Sequence, residues 1–386
     1  MSLYGGILSG TSLDGVDALL LRLEGSDARQ VTWEIVAFET DPYAPEERDR
    51  IREDIATGGA RELALLHVDL GRRFAGAFHR LLETARVDAS EVEAIGSHGQ
   101  TVWHEPPTAA RAGATLQLGD PAGLAEATGL DVVSDFRARD VAAGGHGAPL
   151  VPWCDWVLLR RPEVGRALQN LGGMGNVTFL PRDEDPAGVR GFDTGPGVAL
   201  IDGAARRASG GVDLWDSEGR RAARGRVDPA LLDALLSDPF FGESPPRSTG
   251  RERFGDARLE ALVARAAPAS EGDWDDLLAT LTELTARSMA DAYERFLPLD
   301  EVDEIVLTGG GARNPTLVER ITRLLAPIPV RSGPDALGLD PDAREAAAFA
   351  LLAWAHVNGI PSSLPAVTGA RGSRVLGSWV PGKVAR

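Results

Sequence analysis

Lysine is almost missing from this 386-residue chain: Lys383 is the only one, and every other basic side chain apart from histidine is arginine. A phosphate site of the Gly-x4-Gly-Lys-Ser/Thr kind needs a lysine on the β- and γ-phosphates, so that mechanism is closed. The string GSWVPGKV, residues 377–384, has the glycine and lysine spacing, but valine stands where the magnesium-binding hydroxyl belongs, so the match is chance. Cysteine is equally scarce. Cys154 stands alone, which excludes an internal disulfide framework and a cysteine zinc site. The six histidines form no His-x-x-x-His pair on a helical pattern, and no histidine metal site is expected. No run of about 18 apolar residues occurs, so no membrane span is expected. The opening MSLYGGILSGTS lacks a basic start, an apolar core and a small-residue cleavage site; no secretory signal is read, and a cytoplasmic location is expected. Positive charge is in deficit too, with 40 Lys+Arg against 57 Asp+Glu, a formal −17. Such a surface repels nucleic acid and anionic membrane, so neither is an expected partner, and a nucleotide is suited only where backbone N–H groups, helix ends or a metal meet its phosphates locally.

What remains is ordinary globular material, 43% hydrophobic and 25% charged, of a length that suggests two domains. Residues 3–9 and 16–23 read as strands joined by a turn of glycine, hydroxyls and acids. Residues 45–86 keep a helical period after the Pro45-Glu46-Glu47 start. VEAIGSHGQTV reads as a buried strand running into a loop that carries His98 and Gln100. Residues 138–150 form a glycine-rich functional loop between halves. The second half repeats the opening design: ALQNLGGMGNVTFL, 167–180, is again strand, glycine turn, strand. Asp273 reads as the cap of a long helix to about Leu297, and DAREAAAFALLAWAHVNG as a last buried helix. The division expected is residues 1–135 plus 365–386 as one domain and 136–364 as the other.

Three glycine loops stand at strand ends: Gly10-Thr11-Ser12, Gly172-Gly173-Met174-Gly175-Asn176 and Gly309-Gly310-Gly311. Each alone is an ordinary bend. Together they are places where backbone N–H groups converge on an anion with no Cβ in the way. The dinucleotide fingerprint does not apply, because the first strand is followed by another strand rather than a helix. Two hairpin turns gripping a nucleotide's phosphates fit better. Residues 10–17 (Gly10, Thr11, Ser12, Leu13, Asp14, Gly15, Val16, Asp17) would form the first, with Gly172, Gly173 and Asn176 in the second. The Gly309–Gly311 loop, entering a helix at about Asn314, would face the adenosine. Asp14 or Asp17 would hold Mg²⁺, which prefers carboxylate oxygens.

GTSLDGVDALL, GSHGQTVWHEP, DVVSDFRARDVAAGGHGAPLVP, NLGGMGNVTFL, GFDTGPGVALID, STGRERF, LTGGGARNPTL and VTGARGSRVLG occur in this order. Over essentially the whole chain they resemble the 1,6-anhydro-N-acetylmuramic acid kinases of bacterial cell-wall recycling. The resemblance implies an α/β actin-like ATPase fold, with two RNase H-like domains around an interdomain cleft. It implies ATP and Mg²⁺ as cofactors, and hydrolytic opening of the anhydro ring with phosphorylation of O6.

Asp193, in GFDTGPG, sits at a strand end beside glycines that permit close substrate approach. The residues alone leave it either a general base or the cap of a helix beginning near Gly197; the family counterpart is the water-activating aspartate. The resemblance also places Glu345 near the sugar as a second catalytic residue. Arg137 or Arg139 would meet the lactyl carboxylate through a guanidinium fork, and Arg137 is the one taken as substrate-binding, with His98 and Gln100. His98 is expected to be a hydrogen-bonded lining residue rather than a base. Asp120 and His146 stand where many members carry asparagine and glutamine. The rival readings are another sugar kinase of the same fold, an actin- or chaperone-like ATPase, and a non-catalytic sugar sensor. The sequence leaves a homodimer open.

Overall fold

The computed structural model describes residues 1–108 and 110–383. It divides into two compact units, Met1–Leu158 with Asp342–Arg386, and Leu159–Pro341. In the first unit β1 (Ser2–Ser9), β2 (Gly15–Glu24) and β3 (Thr32–Pro42) form an antiparallel meander. On the other side of β1 lies β4 (Val92–Glu105), parallel to it, with β5 (Ala114–Leu118) folded back on its end and β6 (Val132–Ser134) parallel beyond. A short final strand, Ser378–Val380, pairs antiparallel with β6. The second unit holds β7 (Arg166–Leu171), β8 (Met174–Leu180), β9 (Arg190–Pro196), β10 (Glu304–Thr308) and β11 (Val330–Ser332). The path β3-β2-β1-β4-β6 of the first sheet is repeated as β9-β8-β7-β10-β11 in the second, with the same parallel and antiparallel relations. Three antiparallel strands followed by two parallel ones is the RNase H-like arrangement, so the echo between the two halves reflects one design used twice.

The first core packs the helix Ala60–Ala85, through Leu66, Leu70, Phe74, Phe78 and Leu81, against Ile7, Leu20 and Ile95 of the sheet. The helical pattern over 45–86 is in fact two helices, Pro45–Thr57 and Ala60–Ala85. Gly58 and Gly59 both take extended backbone between them, which the apolar period could not reveal. In the second unit the long helix is Glu271–Phe296, and its cap is Ser270 rather than Asp273. Asp273 is the reciprocal partner of a capping box, its Oδ2 accepting from the Ser270 N–H at 2.8 Å.

The other face of the first sheet carries the helix Arg344–Val357, whose Ala346, Ala347, Ala350 and Ala353 are all buried. It approaches so closely that a Cβ on Gly6 would collide with the Ala346 carbonyl, and one on Gly96 with the Phe349 carbonyl. Gly6→Ala should therefore destabilise the protein by about 1–3 kcal/mol through overpacking. Urea denaturation checks this; a change within about 0.5 kcal/mol, the range of neutral surface substitutions, would mean that the helix retreats freely.

The units do not follow the division read from the sequence. Residues 136–158 and 342–364 belong to the first unit. The 138–150 segment looked like a boundary because it is rich in glycine, but it is sewn to the C-terminal part of the same unit. Buried Asp140 accepts from Gly147 N and from Thr368 Oγ1, each at 2.8 Å. His146 N and Arg371 N donate to the Thr368 and Ala143 carbonyls. The helices Val151–Leu159 and Arg344–Val357 are tied together by the buried Asp155–Arg344 pair. Val384, the end of the lysine-bearing string, and the last residues of the expected first domain lie outside the described residues.

Candidate active site

Each unit carries, by itself, a set of polar residues at the ends of its central strands. In the first, β1 ends at Ser9 and the chain turns through Gly10–Asp14, closed by Leu13 N donating to the Gly10 carbonyl at 3.1 Å. Leu13 has a left-handed φ of 57° and its side chain is buried in the core. Pulling Leu13 inward leaves Thr11, Ser12 and Asp14 exposed. The turn is braced from below: Tyr43 Oη donates to Ser9 Oγ at 3.0 Å, and Ser9 Oγ donates to Gln100 Oε1 at 2.6 Å. Burial pushes the Tyr43 phenol up to about 12, so it remains a donor. Three of the eight residues expected to bind phosphate, Leu13, Gly15 and Val16, are buried, which leaves the backbone as their means of contact. Leu13 and Val16 have core side chains, and a Cβ on Gly15 would press on the Asp41 carbonyl of β3. Gln100 is 1% exposed and braces Ser9 from beneath the turn.

Asp17 accepts from Thr40 Oγ1 at 2.6 Å. Burial raises its carboxyl above the ordinary range, and the negative charges of Glu345, Asp342 and Asp14 add to the rise. Among the described residues no group of three or more metal-ligating side chains comes together. Mg²⁺ characteristically takes one or two carboxylates and fills its shell with water and phosphate oxygens. Exposed Asp14, with Asp17 within electrostatic reach, fits that pattern.

His98 and Gln100 lie within β4, not in a loop. The strand continues past a register shift at Gly99, whose φ is +80°, because β5 folds back to pair with it. The His98 ring is neutral with an assigned tautomer: Nδ1–H donates to the Gly99 carbonyl at 3.0 Å, and Nε2 accepts from Arg137 Nε at 3.1 Å. Burial, and then the Arg137 charge, push its pKa down to about 3. Arg137 also donates through Nη1 to the Gly147 carbonyl at 2.8 Å. Burial lowers its pKa to about 10, with Glu345 opposing the shift, so it stays cationic at neutral pH. Arg139 is exposed. Of the two arginines, only Arg137 is integrated with His98 and Glu345. Glu345 is exposed in the first turn of Arg344–Val357. Asp120 caps the helix Pro121–Thr128 by accepting from Ala122 N.

In the second unit Gly172-Gly173 is a tight turn between β7 and β8. Its carbonyls accept from Gly197, Val198 and Ala199 N–H groups at the start of the helix Ala199–Ala208. Gly309 and Gly311 close on the same strand end, because a Cβ on either would crowd Asn170 or Leu171. Register places Asn176 opposite Asn170 on one side and Asp193 on the other, so the three make a polar row across the sheet. Asp193 lies inside β9 and does not cap the following helix, whose N-cap is Val198. Its Oδ2 accepts from Thr249 N at 2.8 Å. Burial dominates its electrostatics and pushes the carboxyl up to about 6, against the Thr249 hydrogen bond and the Arg247 charge.

The segment that meets Asp193 is held by a residue the sequence reading did not single out. Arg247 is 6% exposed, with its guanidinium over the rings of Phe192, Phe240 and Phe296. Its Nε donates to the Asp193 carbonyl at 2.9 Å, and its Nη1 to the Glu243 carbonyl at 3.0 Å. A separate cavity of about 300 Å³ in the same unit is lined by Val198, Asp202, Trp215, Gly310, Arg313 and Asn314. Asn314 is committed to its helix, its Oδ1 accepting from Leu317 N at 3.1 Å. Asp202, raised to about 6 chiefly by burial, and exposed Trp215 were not anticipated. The apolar cluster Val212, Leu214 and Trp215 after Gly210-Gly211 was the signal that could have found the latter.

A family model described as "Anhydro-N-acetylmuramic acid kinase" matches residues 2–382. Proteins of that name resemble the chain along nearly their whole length. The one from Gloeobacter violaceus is 46% identical over 379 residues, 97% of this chain and 98% of the relative. That from Caldanaerobacter subterraneus is 42% identical, covering 96% and 95%. That from Salinibacter ruber is 44% identical, covering 98% and 96%.

Proposed function

The chain belongs to the anhydro-N-acetylmuramic acid kinase family, and from that membership we propose that it opens 1,6-anhydro-N-acetylmuramic acid with water while phosphorylating O6 from ATP. The products are N-acetylmuramic acid 6-phosphate and ADP. The observation that carries the mechanism is Asp193: a desolvated carboxylate with a pKa near 6, oriented by a backbone N–H, in a row with Asn176 beside the second glycine turn. A base of this pKa is mostly ionised at neutral pH and still takes a proton readily.

Asp193 removes a proton from water as the water oxygen bonds to C1. The C1–O6 bond breaks and its electron pair goes to O6. O6 then attacks the γ-phosphorus, and the β,γ-bridging oxygen leaves with ADP. Arg137, held by His98 and the Gly147 carbonyl, presents a cation suited to the lactyl carboxylate. Glu345 is an acceptor for sugar hydroxyls. Thr11, Ser12 and Gly10 of the first turn, and Gly172 and Gly173 of the second, supply donors to phosphate oxygens; the cavity at Gly310 and Asn314 takes the nucleoside. Mg²⁺, when bound, supplies neutralisation of phosphate charge, and Asp14, with Asp17 as its alternative, is the residue that would hold it. Among the described residues no helix is long and apolar enough to cross a membrane. A cytoplasmic place in peptidoglycan recycling suits the substrate.

The test is incubation with ATP, Mg²⁺ and the anhydrosugar in ¹⁸O-water, read by mass spectrometry. The expected product has gained one phosphate and one water, with the label at C1. A product that gains phosphate alone would assign the chain to ordinary hydroxyl phosphorylation and remove Asp193 from water activation.

A further inference from the structure

Phosphoryl transfer needs a cation near the γ-phosphate, and in a chain with one lysine that cation has to be an arginine or a metal. The second unit has one placed for the task. The strap after Arg247 is pinned by the Thr249 N–H to Asp193 Oδ2, and Arg251 follows two residues later at the start of a single helical turn, Arg251–Phe254. Its Nη2 lies 3.9 Å from the point where a Cβ on Gly173 would stand, so the guanidinium rests against the bare face of the second glycine turn. Its neighbours are otherwise engaged. Arg247 is buried under three phenylalanine rings, and Arg253 pairs with Asp238 at 2.6 Å and with Glu243. Arg251 is exposed and, among the described residues, pairs with no carboxylate. In a protein of net charge −17, an unpaired guanidinium beside a glycine turn, on the strap that Thr249 pins to Asp193, is a cation free to meet an anion.

We propose that Arg251 is a catalytic residue that contacts the γ-phosphoryl group and neutralises the charge that develops as the bond to the β,γ-bridging oxygen breaks. This rests on the reading of Gly172-Gly173 as a phosphate turn. The same strap links both ends of the chemistry: Thr249 orients the carboxylate that takes the water proton, and Arg251 meets the group that is transferred. No atom is added to the balance already given, because the guanidinium keeps its protons throughout.

The experiment compares wild type, Arg251→Ala, Arg251→Lys and Gly172→Val for turnover, ADP affinity and thermal midpoint. Arginines of this kind contribute about 10³–10⁵-fold, so Arg251→Ala should lose at least about a hundredfold in kcat. Its ADP affinity and thermal midpoint should stay near wild type. Arg251→Lys should fall between, since a point charge replaces only part of the fork. The proposal is overturned if Arg251→Ala retains kcat within about threefold, or if it loses thermal stability and ADP binding in step with activity. Gly172→Val separates the two readings: if it leaves ADP and ATP binding intact, the phosphate turn itself is wrong, whereas loss of binding there with a normal Arg251→Ala removes Arg251 alone.

Discussion

Asp193→Asn should retain nucleotide affinity within about threefold and lose about 10²–10⁴-fold in turnover, the range that a positioned general base contributes. The amide keeps the shape of the carboxylate, and its oxygen can still accept from the Thr249 N–H, so the strap has no reason to move. What disappears is proton affinity. In the wild type only the ionised carboxylate acts as base. With its pKa at about 6, activity should be flat at neutral pH and fall tenfold per pH unit below that point. The Asn variant's residual rate should show no such acid limb. A near-normal rate, or an acid limb that survives the substitution, would take the base assignment away from Asp193.

Arg344→Ala should cost about 3–5 kcal/mol, the penalty for leaving one member of a buried ion pair uncompensated. Asp155 is 1% exposed, and its carboxylate takes both the Nε and Nη2 of Arg344. For a unit of this size the loss corresponds to a fall of about 10 °C in the thermal midpoint of the first unit. The double variant Asp155→Leu/Arg344→Met should recover most of it, because an apolar pair carries no stranded charge. Calorimetry distinguishes these outcomes. A single variant that loses less than about 1 kcal/mol would show that solvent reaches Asp155 and that the pair does not anchor the helix. The sugar KM should rise along with the instability, since Glu345 is the next residue on that helix.

The two sites differ in how far they could be read from the sequence. The GFDTGPG pattern left Asp193 either base or cap and only the resemblance favoured the base, while its Thr249 partner comes from a strap more than fifty residues downstream. Nothing local marked Asp155 and Arg344, which meet across 189 positions. Gln100 and Leu13 looked like ligand contacts because they stand inside long family motifs. Packing gives them a further role as supports of the turn.

Scarcity of lysine and cysteine and the acidic balance excluded rival chemistries, the glycine turns after strands gave away the repeated hairpin design, and the ordered motifs carried the resemblance to the family. Those features depend on residue type and short-range order, which a linear string preserves. Folding had to settle the limits of the two units, the state of His98, the partners of Arg137, the place of Arg247 beneath Asp193, and the reason for Gly6 and Gly96. Each of these turns on desolvation, or on the meeting of groups far apart along the chain, and neither quantity exists until the backbone has closed.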